Sequence, residues 1–282
     1  MGEVFRGSEA LASGRLTRQE LRRSYQPLYR GFYLDAGAVP TLRDRATAAW
    51  LASDRRGVIA GVAASALHGA QWVDDDVPIE LISKRARRQR GLIVRNEMLA
   101  EDEITYAGGL PVTTQVRTAF DLGRYLPRGE AIARLDSLMH SQIFSIEDVL
   151  LLAKRYRRAR GLKALRAALP LVDGGAGSPQ ETWLRLLYID AGLPRPTTQI
   201  PIVEGRGKLV RWADMGWEEF MVVSEYDGDL HRTNRRKYVK DIRSLRRARE
   251  LGWIVDQVVK EDRPAEVVER ARTTLIARGW KA

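Results

Sequence analysis

Val222-Val223-Ser224-Glu225-Tyr226-Asp227-Gly228-Asp229-Leu230-His231 reads as an apolar strand that runs into a cluster of carboxylates and one of the chain's three histidines. Burying a carboxylate beside valines is costly unless a cation pairs it. The stretch therefore predicts a sheet strand with a charged site at its end, of the kind that metal-assisted chemistry uses. In a strand, residues two apart share a face, so Glu225 and Asp227 are expected on one side, with Ser224 and Tyr226 on the other. Asp214 ends the preceding predicted strand, eleven residues before Glu225, and a hairpin through Gly216 to Glu219 would bring it alongside. Three carboxylates so placed offer hard oxygen ligands to Mg²⁺, with Mn²⁺ as a substitute, and suit phosphodiester hydrolysis.

Outward from this strand the pattern is that of an α/β domain. Ser178-Pro179-Gln180-Glu181 opens a helix that Gly192 stops, and strands are expected near Gln199 to Val203, Lys208 to Asp214 and Phe220 to Asp227. A basic helix spans about Arg235 to Leu251, Trp253 to Val259 forms another strand, and a last helix starts near Pro264. Between Arg232 and Arg249 nine of eighteen residues are basic and only Asp241 is acidic. Such a helix is either a solvated face or a track for a phosphate backbone, and Arg235, Arg236, Lys237 and Lys240 are the nucleic-acid contacts expected next to the carboxylates.

The glycine-rich Asp173-Gly174-Gly175-Ala176-Gly177-Ser178-Pro179 reads as the main linker. The expected organisation is a segment over 1–38, an α+β middle region over 39–172 and a C-terminal domain over 178–282. Thr17-Arg18-Gln19-Glu20 has capping-box spacing and opens a short helix that Pro27 is expected to end, and Leu28 to Leu34 follow as a strand or wing. Helices are expected near Leu42 to Ser53, Val62 to His68, Thr113 or Thr114 to Leu122, Arg128 to Met139, Ile146 to Tyr156 and Leu162 to Leu169, with strands at Ile79 to Ile82 and Leu92 to Asn96.

Composition narrows the partners. The net charge is +11, with 27 basic against 19 acidic residues up to residue 172 and 20 against 17 beyond it. That balance favours a polyanion, and nucleic acid leads. The absence of cysteine excludes disulfides and thiolate metal sites and agrees with a reducing cytoplasm. No apolar run is long enough to span a membrane, so a cytoplasmic protein with no membrane partner is expected.

The C-terminal region resembles the endonuclease-like domains related to very-short-patch repair enzymes, within the broad PD-(D/E)XK nuclease class. The resemblance is carried by Ser178-Pro179-x-Glu181-Thr182, Ala191-Gly192-Leu193-Pro194, Asp214, Glu225 through His231, Asp241 and Gly252-Trp253. It implies a restriction-endonuclease-like fold, Asp214 and Glu225 as metal ligands, Glu181 and Asp227 in support, and His231 near the scissile phosphate. One departure matters: the class has a lysine two residues after the glutamate, where this chain has Asp227, so the cation must come from elsewhere or be absent. Phe5 to Leu34, with Gly14, Leu16-Thr17 and Tyr29-Arg30-Gly31-Phe32-Tyr33, resembles the winged-helix start of abortive-infection-type antitoxins, which implies DNA binding and a cognate toxin as partner.

Simpler readings stand beside these. Glu181, three residues after Ser178, is placed to complete a capping box; Asp227-Gly228 is a turn signal; His68 and His140 read as structural. The leading expectation is a Mg²⁺-dependent DNA endonuclease. Its rival is a DNA-binding transcriptional regulator or antitoxin whose nuclease-like domain has lost catalysis.

Overall fold

The computed structural model describes residues 3–228 and 235–281, the side chains of residues 235–238 excepted. The chain has an α/β fold and divides into two compact units, Met1–Pro170 and Leu171–Ala282.

The first unit begins with β1 (Phe5–Arg6), α1 (Gly7–Ala12), α2 (Arg18–Ser24), β2 (Tyr25–Tyr29) and β3 (Phe32–Asp35), the strands pairing in the order β1-β3-β2. Thr17 and Glu20 form the expected capping box, with the Thr17 N–H donating to Glu20 Oε2 at 2.7 Å. Pro27 does not end this helix: α2 stops at Ser24 and Pro27 lies inside β2. The ring is tolerated there because β2 is the outer strand of its sheet, where a missing N–H leaves no ladder bond unmade.

There follow α3 (Leu42–Ala52), β4 (Val58–Ala60), α4 (Gly61–Leu67), β5 (Ile79–Ile82), β6 (Leu92–Arg95), β7 (Ile104–Ala107) and β8 (Leu110–Thr113). The five strands form a sheet of order β6-β5-β4-β8-β7. Four helices complete the unit: α5 (Gln115–Tyr125), α6 (Arg128–Ser141), α7 (Ile146–Arg155) and α8 (Leu162–Ala168). Its main core gathers Leu42, Ala46 and Ala49 of α3 against Ile59, Ile79, Leu81 and Val112 of the sheet.

Gly61, where β4 turns into α4, has φ +60, and a Cβ there would run into the Glu80 carboxylate. Glu80 is itself buried and ion-paired with Arg95. Gly61→Ala therefore combines left-handed backbone strain of about 1–3 kcal/mol with displacement of a buried charge. The variant is expected to unfold at clearly lower urea concentration than Gly129→Ala, whose new Cβ meets nothing; equal midpoints would refute the argument.

The second unit contains α9 (Pro179–Asp190), β9 (Thr197–Glu204), β10 (Lys208–Trp217), β11 (Val222–Tyr226), α10 (Arg235–Glu250), β12 (Ile254–Val258) and α11 (Pro264–Ala277). The strand order is β12-β11-β10-β9; β11 and β12 run parallel, and the other neighbours are antiparallel. The parallel pair requires a crossover, which α10 supplies. Alternation along β11 buries both faces of the sheet. Val222 joins Leu184 and Tyr188 of α9 and Val267 and Leu275 of α11, while Val223 joins Ile200, Ala213 and Ala248 of α10. Gly192, at φ +76, lets the chain leave α9 sharply, and Trp217 Nε1 then donates to the Pro194 carbonyl at 2.8 Å.

The glycine-rich stretch read as a linker is packed onto this unit. Asp173 Oδ1 accepts from Gly175 N at 2.9 Å and from the Thr198 hydroxyl of β9 at 2.9 Å, and Ala176 is buried. The buried Arg185 of α9 donates to the Leu171 carbonyl at 2.7 Å.

Candidate functional site

The register of β10 and β11 sets Met215 opposite Ser224 and Trp217 opposite Val222. The ladder ends at Met215 and Ser224, and Asp214 and Glu225 follow directly beyond it, close enough that the Asp214 charge acts on Glu225. Regular alternation would send Ala213 to the same face as Met215, but Ala213 packs with Ile200, Ile202 and Val223 on the opposite side. Alternation is therefore broken at Asp214, and across from the break Gln199 of β9 has φ +52.

The break has a chemical consequence. It brings Arg211 of β10 onto the face of Glu225, with Arg211 Nη2 2.6 Å from Glu225 Oε1. Arg211 Nη1 also donates to the Ser244 hydroxyl of α10 at 3.4 Å, and that hydroxyl donates to the Asp241 carbonyl at 2.9 Å. Asp214 Oδ2 accepts from the Tyr226 N–H at 2.9 Å, which fixes its carboxylate beside the end of β11. On the other face, the Ser224 hydroxyl meets the Tyr188 hydroxyl at 2.7 Å.

Glu225 is 7% exposed. Burial pushes its carboxyl up to about 7; the Arg211 charge opposes the rise, and the Asp214 and Asp241 charges add to it. The carboxyl thus exchanges its proton near neutrality, the range useful to an acid–base group. The raised value also affects folding. The folded protein holds a proton on Glu225 up to about pH 7, whereas the unfolded chain releases it near the ordinary value of 4.5. Between those values the folded state binds more protons, so the contribution is full below pH 4.5 and is lost as pH rises through 7. The full swing is about 3 kcal/mol. In a metal chelator, the stability difference between the wild type and Glu225→Gln should change by that order across this window, in favour of Gln at higher pH; a pH-independent difference in urea midpoints would contradict it.

The remaining candidates fall in different places. Glu181 serves the start of α9: its Oε2 accepts from Gly177 N at 2.8 Å, its Oε1 from the Ser178 hydroxyl at 3.0 Å, and its own N–H donates to Ser178 Oγ at 3.1 Å. Asp227 lies just past β11, half-buried, with its N–H donating to the Val258 carbonyl at 2.8 Å. Lys240 is exposed on α10. Arg235, Arg236 and Lys237 lie in the first turn of α10, and their side chains are outside those described; His231 lies outside the described residues. Among the described residues, no three His, Asp or Glu side chains converge as a metal-holding group.

Arg211 is the residue that sequence reasoning missed. Its signal was a lone arginine between Val210 and Trp212 three positions before Asp214. Strict alternation cannot place it on Glu225 unless the break at Asp214 is known.

No protein-family model matches the chain. It is 30% identical to the Mycobacterium tuberculosis proteins named Uncharacterized protein Rv2248 and Uncharacterized protein MT2308, in each case over 201 residues that span 71% of this chain and 73% of the relative. Among solved structures, that of the RV2827C protein from Mycobacterium tuberculosis aligns with a TM-score of 0.41 at 16% identity, covering 70% of this chain and 78% of that one. The identity and its extent place this chain in one family with Rv2248 and MT2308.

Proposed function

We propose that the second unit is a metal-dependent DNA endonuclease whose centre is Asp214, Glu225 and Arg211. The observation that carries this reading is the juxtaposition of Asp214 with a buried Glu225 that titrates near neutrality, on the sheet face covered by the basic helix α10.

Mg²⁺ is commonly held by one or two carboxylates, with water and substrate phosphate oxygens filling the remaining positions. The pair Asp214 and Glu225 fits that requirement, and a cation would relieve the repulsion between them. When bound, the ion supplies Lewis acidity at the phosphate and a more acidic water. The chain's own contribution is positional and protonic. The Tyr226 N–H orients Asp214, Arg211 orients Glu225, and the Glu225 carboxylate accepts a proton at Oε1 or Oε2 from a hydroxyl presented to it. Arg211 provides a fixed positive charge beside this centre, the role for which the nuclease class uses the lysine that Asp227 replaces here. The absence of cysteine fits action in the cytoplasm.

DNA would lie along α10, where Lys240, Arg243, Arg246 and Arg249 are exposed. In the first unit α2 exposes Arg18, Arg22 and Arg23, which suits it to assist docking. Every phosphate that the protein no longer neutralises lowers the salt dependence of duplex binding by about 0.9 in the log–log slope. Alanine at Lys240, Arg243 and Arg246 together should flatten the slope by up to about 2.7. An unchanged slope in anisotropy titrations over NaCl would remove α10 from the interface.

The test of the proposal is incubation of the purified chain with supercoiled, linear and single-stranded DNA in Mg²⁺ or Mn²⁺. Cleavage that chelator stops and Asp214→Ala abolishes supports it; cleavage indifferent to Asp214→Ala refutes it. A second reading, a DNA-binding regulator or antitoxin with an inactive nuclease-like domain, is favoured by the Arg211 guanidinium that already engages Glu225. Salt-sensitive binding with no cleavage in any metal would select it.

A further inference from the structure

At the end of β11, on the face opposite Glu225, the second unit has an open cleft of about 380 Å³ whose lining includes Pro179 and Trp183 of α9, Tyr226, Lys260, Pro264 and Asp262, the last ion-paired with Arg270 at 3.2 Å. We infer that this cleft takes one unpaired nucleotide, its base stacked on Trp183 and its phosphate on Lys260; the inference deepens the nuclease reading above and rests on it for the identity of the polymer.

Trp183 and Tyr226 meet edge to face, with ring centroids 6.3 Å apart and planes at 82°. The two rings are not stacked on each other, and Trp183 stays 42% exposed although α9 packs its other side into the core. An indole left 42% exposed at the mouth of a cleft is a large apolar surface that the described residues do not cover. Every base has a π-face that can cover it, without regard to sequence. The prolines are stiff and apolar, which suits a flat ligand, and the exposed Lys260 ammonium sets a cation beside the aromatic wall for the attached phosphate.

The placement couples the cleft to the candidate centre. Tyr226 follows Glu225 directly, and its N–H donates to Asp214. A nucleotide seated on Trp183 would hold the strand at the end of β11, across the sheet from Glu225, and favour duplexes with a base free to leave the stack, because unpairing a matched base costs a few kcal/mol and a bulged one far less.

The experiment uses the full chain in chelator, where no metal-dependent cleavage can occur. Fluorescence anisotropy compares a labelled duplex carrying one bulged thymidine with the same duplex fully paired. Trp183→Ala should weaken binding of the bulged duplex by about 5- to 150-fold, the range for removal of one base stack, and leave the paired duplex little changed. Trp183→Phe should keep most of the preference, and Lys260→Ala should lower affinity for the bulged form. Equal losses on both duplexes, no loss on either, or no binding of the bulged duplex by the wild type would overturn the inference. Failure of the catalytic reading looks different. A chain that needs Trp183 for bulged DNA but cuts nothing in Mg²⁺ or Mn²⁺ keeps the cleft and loses the nuclease. A chain that cuts DNA with no dependence on Trp183 does the reverse.

Discussion

Arg117→Leu is expected to destabilise the first unit by about 3–5 kcal/mol, the cost of removing one partner from a buried ion pair. Arg117 is 1% exposed at the start of α5. Its Nε donates to Asp121 Oδ2 at 3.1 Å, its Nη2 to Glu97 Oε2 at 3.0 Å, and its Nη1 to Glu103 and to the Met98 carbonyl at 3.2 Å. Asp121, also 1% exposed, is shared with Arg124 Nη2 at 2.7 Å. Burial raises the Asp121 carboxyl above its ordinary range even with the two guanidinium charges pulling it down.

Removing Arg117 takes the most deeply buried cation out of this cluster: Asp121 keeps Arg124 at 2.7 Å, and Glu103 keeps the more exposed Arg155 at 3.0 Å and the Tyr156 hydroxyl at 2.6 Å. The loss should therefore exceed that of a surface pair, which is worth about 0–1 kcal/mol. Urea unfolding followed by circular dichroism measures it. A variant that also carries Asp121→Asn should recover part of the loss, because it removes the buried carboxylate that Arg117 had faced while Arg124 keeps Glu97. A loss below about 1 kcal/mol for Arg117→Leu alone would mean that these groups are in effect hydrated.

This network shows what a sequence hides. Arg117 and Asp121 are four apart, which in a sequence reads as a solvated helix pair; nothing local tells that α6, α7 and α8 will close over α5. The long elements were legible because their apolar spacing repeats over several turns: the helices starting at Arg128, Ile146 and Pro179 lie where the pattern puts them. Strands β4, β7 and β8 were not: β4 has three residues, runs directly into α4 and pairs with the distant β5 and β8, while β7 and β8 form a short hairpin through Gly108 and Gly109 with Pro111 inside its second strand. The candidate site divides in the same way. The nearness of Asp214 to Glu225 follows from hairpin spacing, whereas Arg211 reaches Glu225 only through an irregular strand. Glu181 illustrates the opposite problem: helix starts and carboxylate sites draw on the same residue types, and here its carboxylate is bonded to Gly177 and Ser178.

The largest functional effect is expected from the two carboxylates. Asp214→Asn and Glu225→Gln should each lower the rate of DNA cleavage by about 10²- to 10⁴-fold, since each removes a negative charge that would hold the cation, and metal-assisted charge stabilisation is worth several kcal/mol. The amides are close in size to the carboxyls, so the fold should survive. Glu225→Gln is even expected to stabilise the second unit above neutral pH, because it abolishes the cost of ionising a buried group. Stability and activity must then move in opposite directions in one variant, which separates loss of chemistry from loss of structure. Arg211→Met tests the remaining partner. Without the guanidinium, Glu225 loses the charge that holds its carboxyl down, so its proton is retained to higher pH and the rising limb of the cleavage profile should shift to more alkaline pH. A cleavage–pH profile unmoved by Arg211→Met would show that Glu225 is not the group that titrates, and cleavage undiminished in Asp214→Asn would show that the reaction occurs elsewhere on the chain.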